Sequence, residues 1–276
     1  MSLSAALNTA IQGMSGQSVR FLHIGNNIAN STTTAFKNSD ISMFENMSPN
    51  VSSPGGDGSR VQPGVGVTVS GTVTDFAGGQ IKDDLQPGHL AIIGDGYLSV
   101  VQGSTSYLTR AGDFSLVENP ANKGATPPEF VLSRPNGAIL QGAADVAGAL
   151  AGPVTFQERP ESFSFAANGE VTALPATVTV VNGHVGLRRF LNQNALIKKD
   201  AQMFAETTES MPFTTDPEVP GATGSGYLRQ GALEQSNVDL TAEFTKMIIT
   251  QRAFTANSKT ITTADELLNT VINMKR

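Results

Sequence analysis

At the start of the chain, apolar residues recur in alternating steps of four and three: Leu3, Leu7, Ala10, Met14, Gln17, Phe21, Ile24 and Ile28. This spacing predicts a helix from about Ser2 to Ala29, with a narrow stripe suited to another helix. Gln17 interrupts the stripe, and Gly13, Gly16 and Gly25 weaken the helix while allowing close approach. The end of the chain repeats the pattern. From Asn237 onward, Leu240, Phe244, Met247, Gln251, Phe254, Ser258, Ile261, Asp265, Leu268 and Ile272 keep the alternation, and Ala264 and Val271 broaden it. Ser236 or Asn237 is the expected N-cap, with Asp239 and Glu243 at the positive helix end and Lys275 and Arg276 at the negative one.

Between the helices the period falls to two. Val65–Val73 alternates as a half-buried strand does, and shorter runs follow at Leu90–Ile93, Tyr97–Val101, Tyr107–Thr109, Phe114–Val117, Phe130–Leu132 and Ala138–Leu140. Further runs are Phe163–Phe165, Val171–Leu174 and Thr177–Val181. Turns at Gly94-Asp95-Gly96, Pro135-Asn136-Gly137, Asn168-Gly169 and Asn182-Gly183 separate them. The expected fold class is α+β: terminal helices paired in a coiled-coil-like domain, with a mainly antiparallel β middle. Residues 1–46 and 227–276 make the helical domain and 65–211 the β-rich one. Residues 47–64 and 212–226 are linkers or extended loops, rich in Ser, Pro and Gly and expected to be mobile unless a neighbour orders them.

Composition narrows the function. The 276 residues suffice for one large domain or two modest ones, and 28 glycines suit short strands joined by tight turns. A net charge of −6 with scattered basic residues argues against nucleic acid. The absence of cysteine excludes disulfides, thiolate zinc sites and a cysteine nucleophile. No apolar run spans a bilayer, so membrane insertion is not expected, and the N-terminus does not read as a cleavable signal peptide. His23, His89 and His184 are isolated, and Asp83–Asp84 reads as a solvated corner. No catalytic, cofactor-binding or metal-ligating residue is assigned, and no enzyme activity is expected.

Two helices roughly 40 Å long at 1.5 Å per residue have more seam than one partner covers. The plain alternative is a self-contained helical hairpin. Against it, the glycine and polar interruptions favour ends that order only when neighbours supply contacts. Such contacts, repeated head-to-tail without ring closure, build open helical polymers.

The motifs carry the reading further. Gly25-Asn26-Asn27-Ile28-Ala29-Asn30-Ser31, followed by Ala35-Phe36-Lys37, resembles the signature of bacterial flagellar rod and hook proteins. So does Gly231-Ala232-Leu233-Glu234-Gln235-Ser236-Asn237-Val238-Asp239-Leu240, continued through Met247–Phe254 to Asn257-Ser258-Lys259. Gly94-Asp95-Gly96-Tyr97 and Leu108-Thr109-Arg110-Ala111-Gly112-Asp113-Phe114 are also typical of these proteins. Asn26, Asn27 and Asn30 suit a helix end, and Ser236-Asn237 a helix start, so capping is their expected role. Phe36 and Lys37 are expected to lead the chain toward the β domain.

The resemblance implies a homopolymeric tube, with terminal helices lining an export channel and β domains outside. It implies the flagellar type III export apparatus, a cap protein, and rod, hook and junction proteins as partners, and no cofactor. The location is the extracellular hook or the periplasmic basal-body rod. The segment Thr260–Val271 and the opening Ser2–Leu7 look more like hook proteins, whereas the length points to a distal rod protein. Hook is the preferred expectation, distal rod the alternative and a secreted β-rich binding module the remote one.

Overall fold

The computed structural model describes residues 3–47, 64–122, 128–144, 150–214, 217–222 and 224–274. It divides into two compact units: residues 1–31, 38–75 and 238–276, and residues 32–37 with 76–237.

The first unit holds helix α1 (Leu3–Ala29), strands β1 (Ser39–Met47) and β2 (Gly64–Thr74), and helix α2 (Leu240–Met274). α1 ends where Asn30 donates from its backbone and its side chain to the Asn26 carbonyl, at 3.1 and 2.9 Å. The Ser31 hydroxyl adds a bond to the Ile28 carbonyl at 2.8 Å, which satisfies carbonyls left open by the last turn. The side-chain cap of α2 is Asp239, not Ser236 or Asn237. Its Oδ1 accepts from the amides of Thr241 and Ala242 at 2.8 and 3.3 Å. The expected basic close of α2, Lys275–Arg276, lies outside the described residues.

The two helices run antiparallel: Asn27 meets Glu243, and further along the pair Gly13 faces Asn257. A Cβ at Gly13 would lie 2.8 Å from the Asn257 amide nitrogen, so the glycine permits this approach. β1 and β2 form an antiparallel ribbon, paired from Ser39 with Thr74 to Met47 with Gly64. The ribbon lies against α1 at Gly16, where a Cβ would stand 3.3 Å from Val67 Cγ2 and 3.5 Å from Met43 Sδ. Residues 39–46, expected in the helical domain but beyond its predicted helix, are strand. Burial alternates there, with Ser39 and Ile41 inward and Ser42 and Phe44 outward, and a two-residue period cannot be kept on a helix.

The second unit is β-rich. Its strands are β3 (Ile81–Asp83), β4 (Leu90–Ile93), β5 (Tyr97–Gln102), β6 (Thr105–Thr109), β7 (Ser115–Glu118), β8 (Phe130–Ser133) and β9 (Ile139–Ala143). They continue with β10 (Leu150–Pro153), β11 (Thr155–Phe156), β12 (Ser162–Phe165), β13 (Val171–Leu174), β14 (Val180–Val181) and β15 (Leu187–Arg188). The last are β16 (Ile197–Lys198), β17 (Met203–Ala205), β18 (Tyr227–Gln230) and β19 (Ala232–Glu234). An eleven-stranded sheet follows the order β14-β11-β8-β9-β5-β6-β17-β16, with β10, β15 and β7 branching from β9, β5 and β8. The strand pairs are antiparallel, and β12–β13, β18–β4 and β19–β3 form separate two-stranded sheets.

The core of this unit includes Leu98, Val100, Leu132, Leu140, Phe156 and Leu187, all fully buried. A second cluster gathers Tyr97, Leu108, Phe190, Leu196 and Phe204 around edge-on ring contacts. The 212–226 stretch is tied down in its described part. Arg189 reaches both Glu218 carboxylate oxygens at 2.6 and 2.9 Å, and the Leu187 and Glu218 backbones exchange two hydrogen bonds. Residues 48–63 of the other expected linker lie outside the described residues. No described helix is long and apolar enough to cross a membrane.

Removing the α2 cap is a direct test of this placement. Asp239→Ala should cost about 1 kcal/mol of helix stability, whereas Asp239→Asn, which keeps an acceptor oxygen, should leave the first turn of α2 intact. Amide exchange at Thr241 and Ala242 reads the difference.

Candidate functional site

The described residues contain no cluster of His, Asp and Glu able to hold a metal ion. The histidines lie apart: His23 on α1, His89 bonded through Nδ1 to Asp84 at 2.8 Å, and His184 bridging to Ala143 and Glu170. Asp83 pairs with Arg229 at 2.7 Å. Two buried carboxylates each gather a node of polar side chains, one in each unit.

In the β-rich unit the node is Glu234, 1% exposed, held between two cations. Lys37 Nζ donates to Glu234 Oε1 at 2.7 Å and to the Ala77 carbonyl at 2.7 Å. Arg110 Nε donates to Glu234 Oε2 at 2.9 Å, while its Nη2 reaches the Gly94 carbonyl at 2.8 Å. The Gly79 amide completes the carboxylate's shell at 2.9 Å. Two cations face one anion, and the excess positive charge is met by these carbonyls and by the Tyr97 ring 5.8 Å from the guanidinium carbon. Burial alone would raise the Glu234 carboxyl, but Arg110 and Lys37 outweigh it and hold the group below its usual range. Burial pushes the Tyr97 phenol up, so it stays neutral and donates to Gln193 Oε1 at 3.3 Å.

Lys37, Arg110 and Glu234 come from three separate family-like motifs in the sequence. Sequence reading expected Lys37 only to lead the chain toward the β domain and gave Arg110 and Glu234 no role. The available signal was that each has an apolar residue directly beside it: Phe36, Ala111 or Leu233. A charge carried inward beside an apolar residue is one that folding must pair.

In the helical unit the node is Asn27 with Glu243, each 1% exposed. The Asn27 amide donates to the Ser39 carbonyl at 2.9 Å and to Glu243 Oε2 at 3.2 Å, and its Oδ1 accepts from the Ser39 amide at 3.2 Å. Asn27 is therefore a cross-link among three elements, not a helix cap. Lys246 bonds Glu243 at 2.8 Å and Asp40 at 3.4 Å. The Glu243 bond raises the Lys246 ammonium above its usual value.

The expected seams are placed unevenly. On α1, Ala10 and Ile24 are buried, Leu7, Met14 and Ile28 half-buried, and Phe21 is 38% exposed; the Leu3 side chain lies outside the described residues. On α2, Met247 and Ile261 are half-buried, but Leu240, Phe244, Phe254, Leu268 and Ile272 are exposed. The fully buried α2 residues are Glu243, Thr250 and Ala264, and Asn257 continues their seven-residue spacing. The face turned inward is thus polar or small, and the apolar stripe lies at its flank. Phe21 and Phe254 line an open cleft of 490 Å³ with Gln17, Ser18, Thr250, Gln251 and Thr255. Among the motif residues, Phe36 is buried, Gly25, Asn30, Ser236 and Asn237 are half-buried, and Asn26 and Ala29 are exposed.

Residues 229–274, covering β19 and α2, match the family described as flagellar basal body rod FlgEFG protein C-terminal. The chain is 33% identical to the flagellar basal-body rod protein FlgG of Bacillus subtilis, over 98% of this chain and 99% of that protein. The chain belongs to the flagellar rod and hook protein family. The FlgG rod protein of Caulobacter vibrioides is 32% identical over 98% of this chain and 99% of its own. The flagellar hook protein FlgE of Borreliella burgdorferi is 43% identical, but over 34% of this chain and 21% of that protein. Family members are structural components of the flagellum.

The Glu234 node gives a prediction with a defined sign. Because the folded carboxyl sits below its usual value of 4.5, its contribution is complete above that pH. It is lost as the pH falls through the folded value. Glu234→Gln leaves two buried cations without their anion and should cost about 3–5 kcal/mol at neutral pH. Urea unfolding of the two proteins at several pH values should show the gap closing in acid, and a constant gap would contradict the assignment.

Proposed function

We propose that this protein is a subunit of the flagellar distal rod, which polymerises through its terminal helices into a tube around the export channel. The observation that carries this reading is the end-to-end similarity to basal-body rod proteins, against hook matches that cover 34% and 42% of the chain. A hook protein is the second reading. It is favoured by the higher local identity, which is what a shared terminal assembly motif with a divergent middle would give. The expectation that ranked hook first rested in part on Thr260–Val271, which lies inside the C-terminal region that one family model covers for FlgE, FlgF and FlgG together.

The helical unit is the assembly part in this reading. Its α1–α2 pair acts as a coiled-coil-like seam that leaves apolar side chains for neighbours. Phe244, Ile248, Ile249 and Phe254 on one stretch of α2, and Leu267, Val271 and Ile272 on another, are between 43% and 63% exposed. Surface of that kind on a paired helix favours burial against further copies. The β-rich unit forms the outer layer, and its antiparallel sheet transmits load along the tube. Export through the flagellar apparatus, and contacts with cap, junction, rod and hook proteins, follow from the same assignment.

Immunogold labelling of isolated hook–basal bodies tests the placement. Label on the rod within the envelope is the expected result, and label confined to the hook would replace the rod reading with the second one. Phe254→Ser should abolish polymerisation of purified subunit while leaving its thermal unfolding within about 1 kcal/mol of wild type, as a half-exposed site implies. Normal polymerisation of that variant, followed by sedimentation, would remove α2 from the assembly surface.

A further inference from the structure

Residues 32–37 group with the β-rich unit although the chain on either side of them, up to Ser31 and from Asn38, belongs to the helical one. Ala35, Phe36 and Lys37 are each buried, at 2%, 4% and 1% exposure. Their partners also lie in the β-rich unit. The Ala35 amide donates to the Glu234 carbonyl at 2.8 Å, and the Asn237 amide donates to the Phe36 carbonyl at 3.3 Å. Lys198 places its ammonium 4.1 Å from the Phe36 ring centre and donates to the Lys37 carbonyl at 3.2 Å. Lys37 itself is anchored on Glu234 and Ala77. Ala35 holds a φ of 52°, a left-handed conformation disfavoured for alanine and kept where surrounding contacts over-determine it.

We propose that residues 32–37 are a strap that stays docked in the β-rich unit when the terminal helices are unpaired, so that the N-terminal exit and the C-terminal entry of the chain remain tied together. Two backbone bonds make the tie, Ala35 to Glu234 and Phe36 to Asn237. α1 ends at Ala29 and α2 begins at Leu240, so the tie stands a few residues from each helix along the chain. Pairing two helices from opposite ends of a chain otherwise requires closing a loop through its whole middle. The strap replaces that loop with two short tethers, which raises the concentration of each helix around the other. The boundary between lasting and conditional order then falls between Ser31 and Thr32 on one side and after Asn237 on the other. This inference concerns the soluble subunit and is independent of whether the polymer is rod or hook.

Hydrogen exchange of the full chain, read amide by amide by NMR, tests it. Ile24→Pro breaks α1 from within, and the α1 amides around it should exchange at least about tenfold faster. Ala35 and Asn237 should stay within about twofold of their wild-type rates in the same variant. Loss of Ala35 protection in step with α1 would overturn the proposal, because the strap would then belong to the helical unit. Lys37→Met should release the strap, with exchange at Ala35 rising by at least about tenfold. Unchanged Ala35 protection in a folded Lys37→Met protein would equally overturn it. Should that variant not fold, the Ile24→Pro comparison decides alone, since Ile24 lies outside the β-rich unit.

Discussion

The β-rich unit is organised around one carboxylate that cannot be left alone. Glu234 is almost fully out of water, and its two oxygens are shared among Lys37, Arg110 and the Gly79 amide. Each partner arrives from a different part of the chain, so no local element can satisfy the group. A buried ion pair is weak evidence of net stabilisation, because desolvation offsets much of the attraction. Its stronger effect is on which arrangement is allowed. An alternative packing that displaced any one of residues 37, 79, 110 or 234 would strand a charge in a dry interior. The same four points fix the strap, the segment between β2 and β3, the end of β6 and the end of β19.

The helical unit is held by different means. The inward face of α2 carries Glu243, Thr250, Asn257 and Ala264 at seven-residue intervals. Polar and small side chains there allow close helix approach, helped by Gly13, but they bury little apolar area. Most of the hydrophobic side chains of α2 stay exposed. A helix pair of this composition gains little from its own seam and leaves much to be gained from neighbours, as a polymerising element requires. The Asn27–Glu243 node contributes directional bonds instead, linking both helices to the start of β1.

These two solutions divide local stability along the chain. The sheet, with its continuous core, and the strap fixed to Glu234 belong to the high end. The helices, with exposed flanks and a polar seam, belong to the low end. On the proposed rod assignment that division is useful, because the part that orders last is then the part that meets its neighbours.

The sequence by itself determined the kinds of elements and much of their position. The four-and-three spacing places α1 within a residue or two, and Leu90–Ile93 and Val171–Leu174 match their strands end to end. These succeed because periodicity of an apolar face is a local property. The family was also legible, from motifs in order along the chain. Which face of α2 turns inward was not legible. An apolar stripe in an assembling helix marks burial by any partner, including other copies, and the stripe alone does not name the partner. β1 was missed because Ile41, Met43, Phe44 and Met47 do not keep one alternation through Ser39–Met47, and because it pairs with β2 across a long connection. The cap of α2 was misplaced by two or three residues, since Ser236, Asn237 and Asp239 are all good caps and the docking of Asn237 on Ala77 leaves Asp239 to do it. The Glu234 node was invisible for a plainer reason: its charges are far apart in sequence, and only tertiary folding in a water-free interior makes their pairing obligatory.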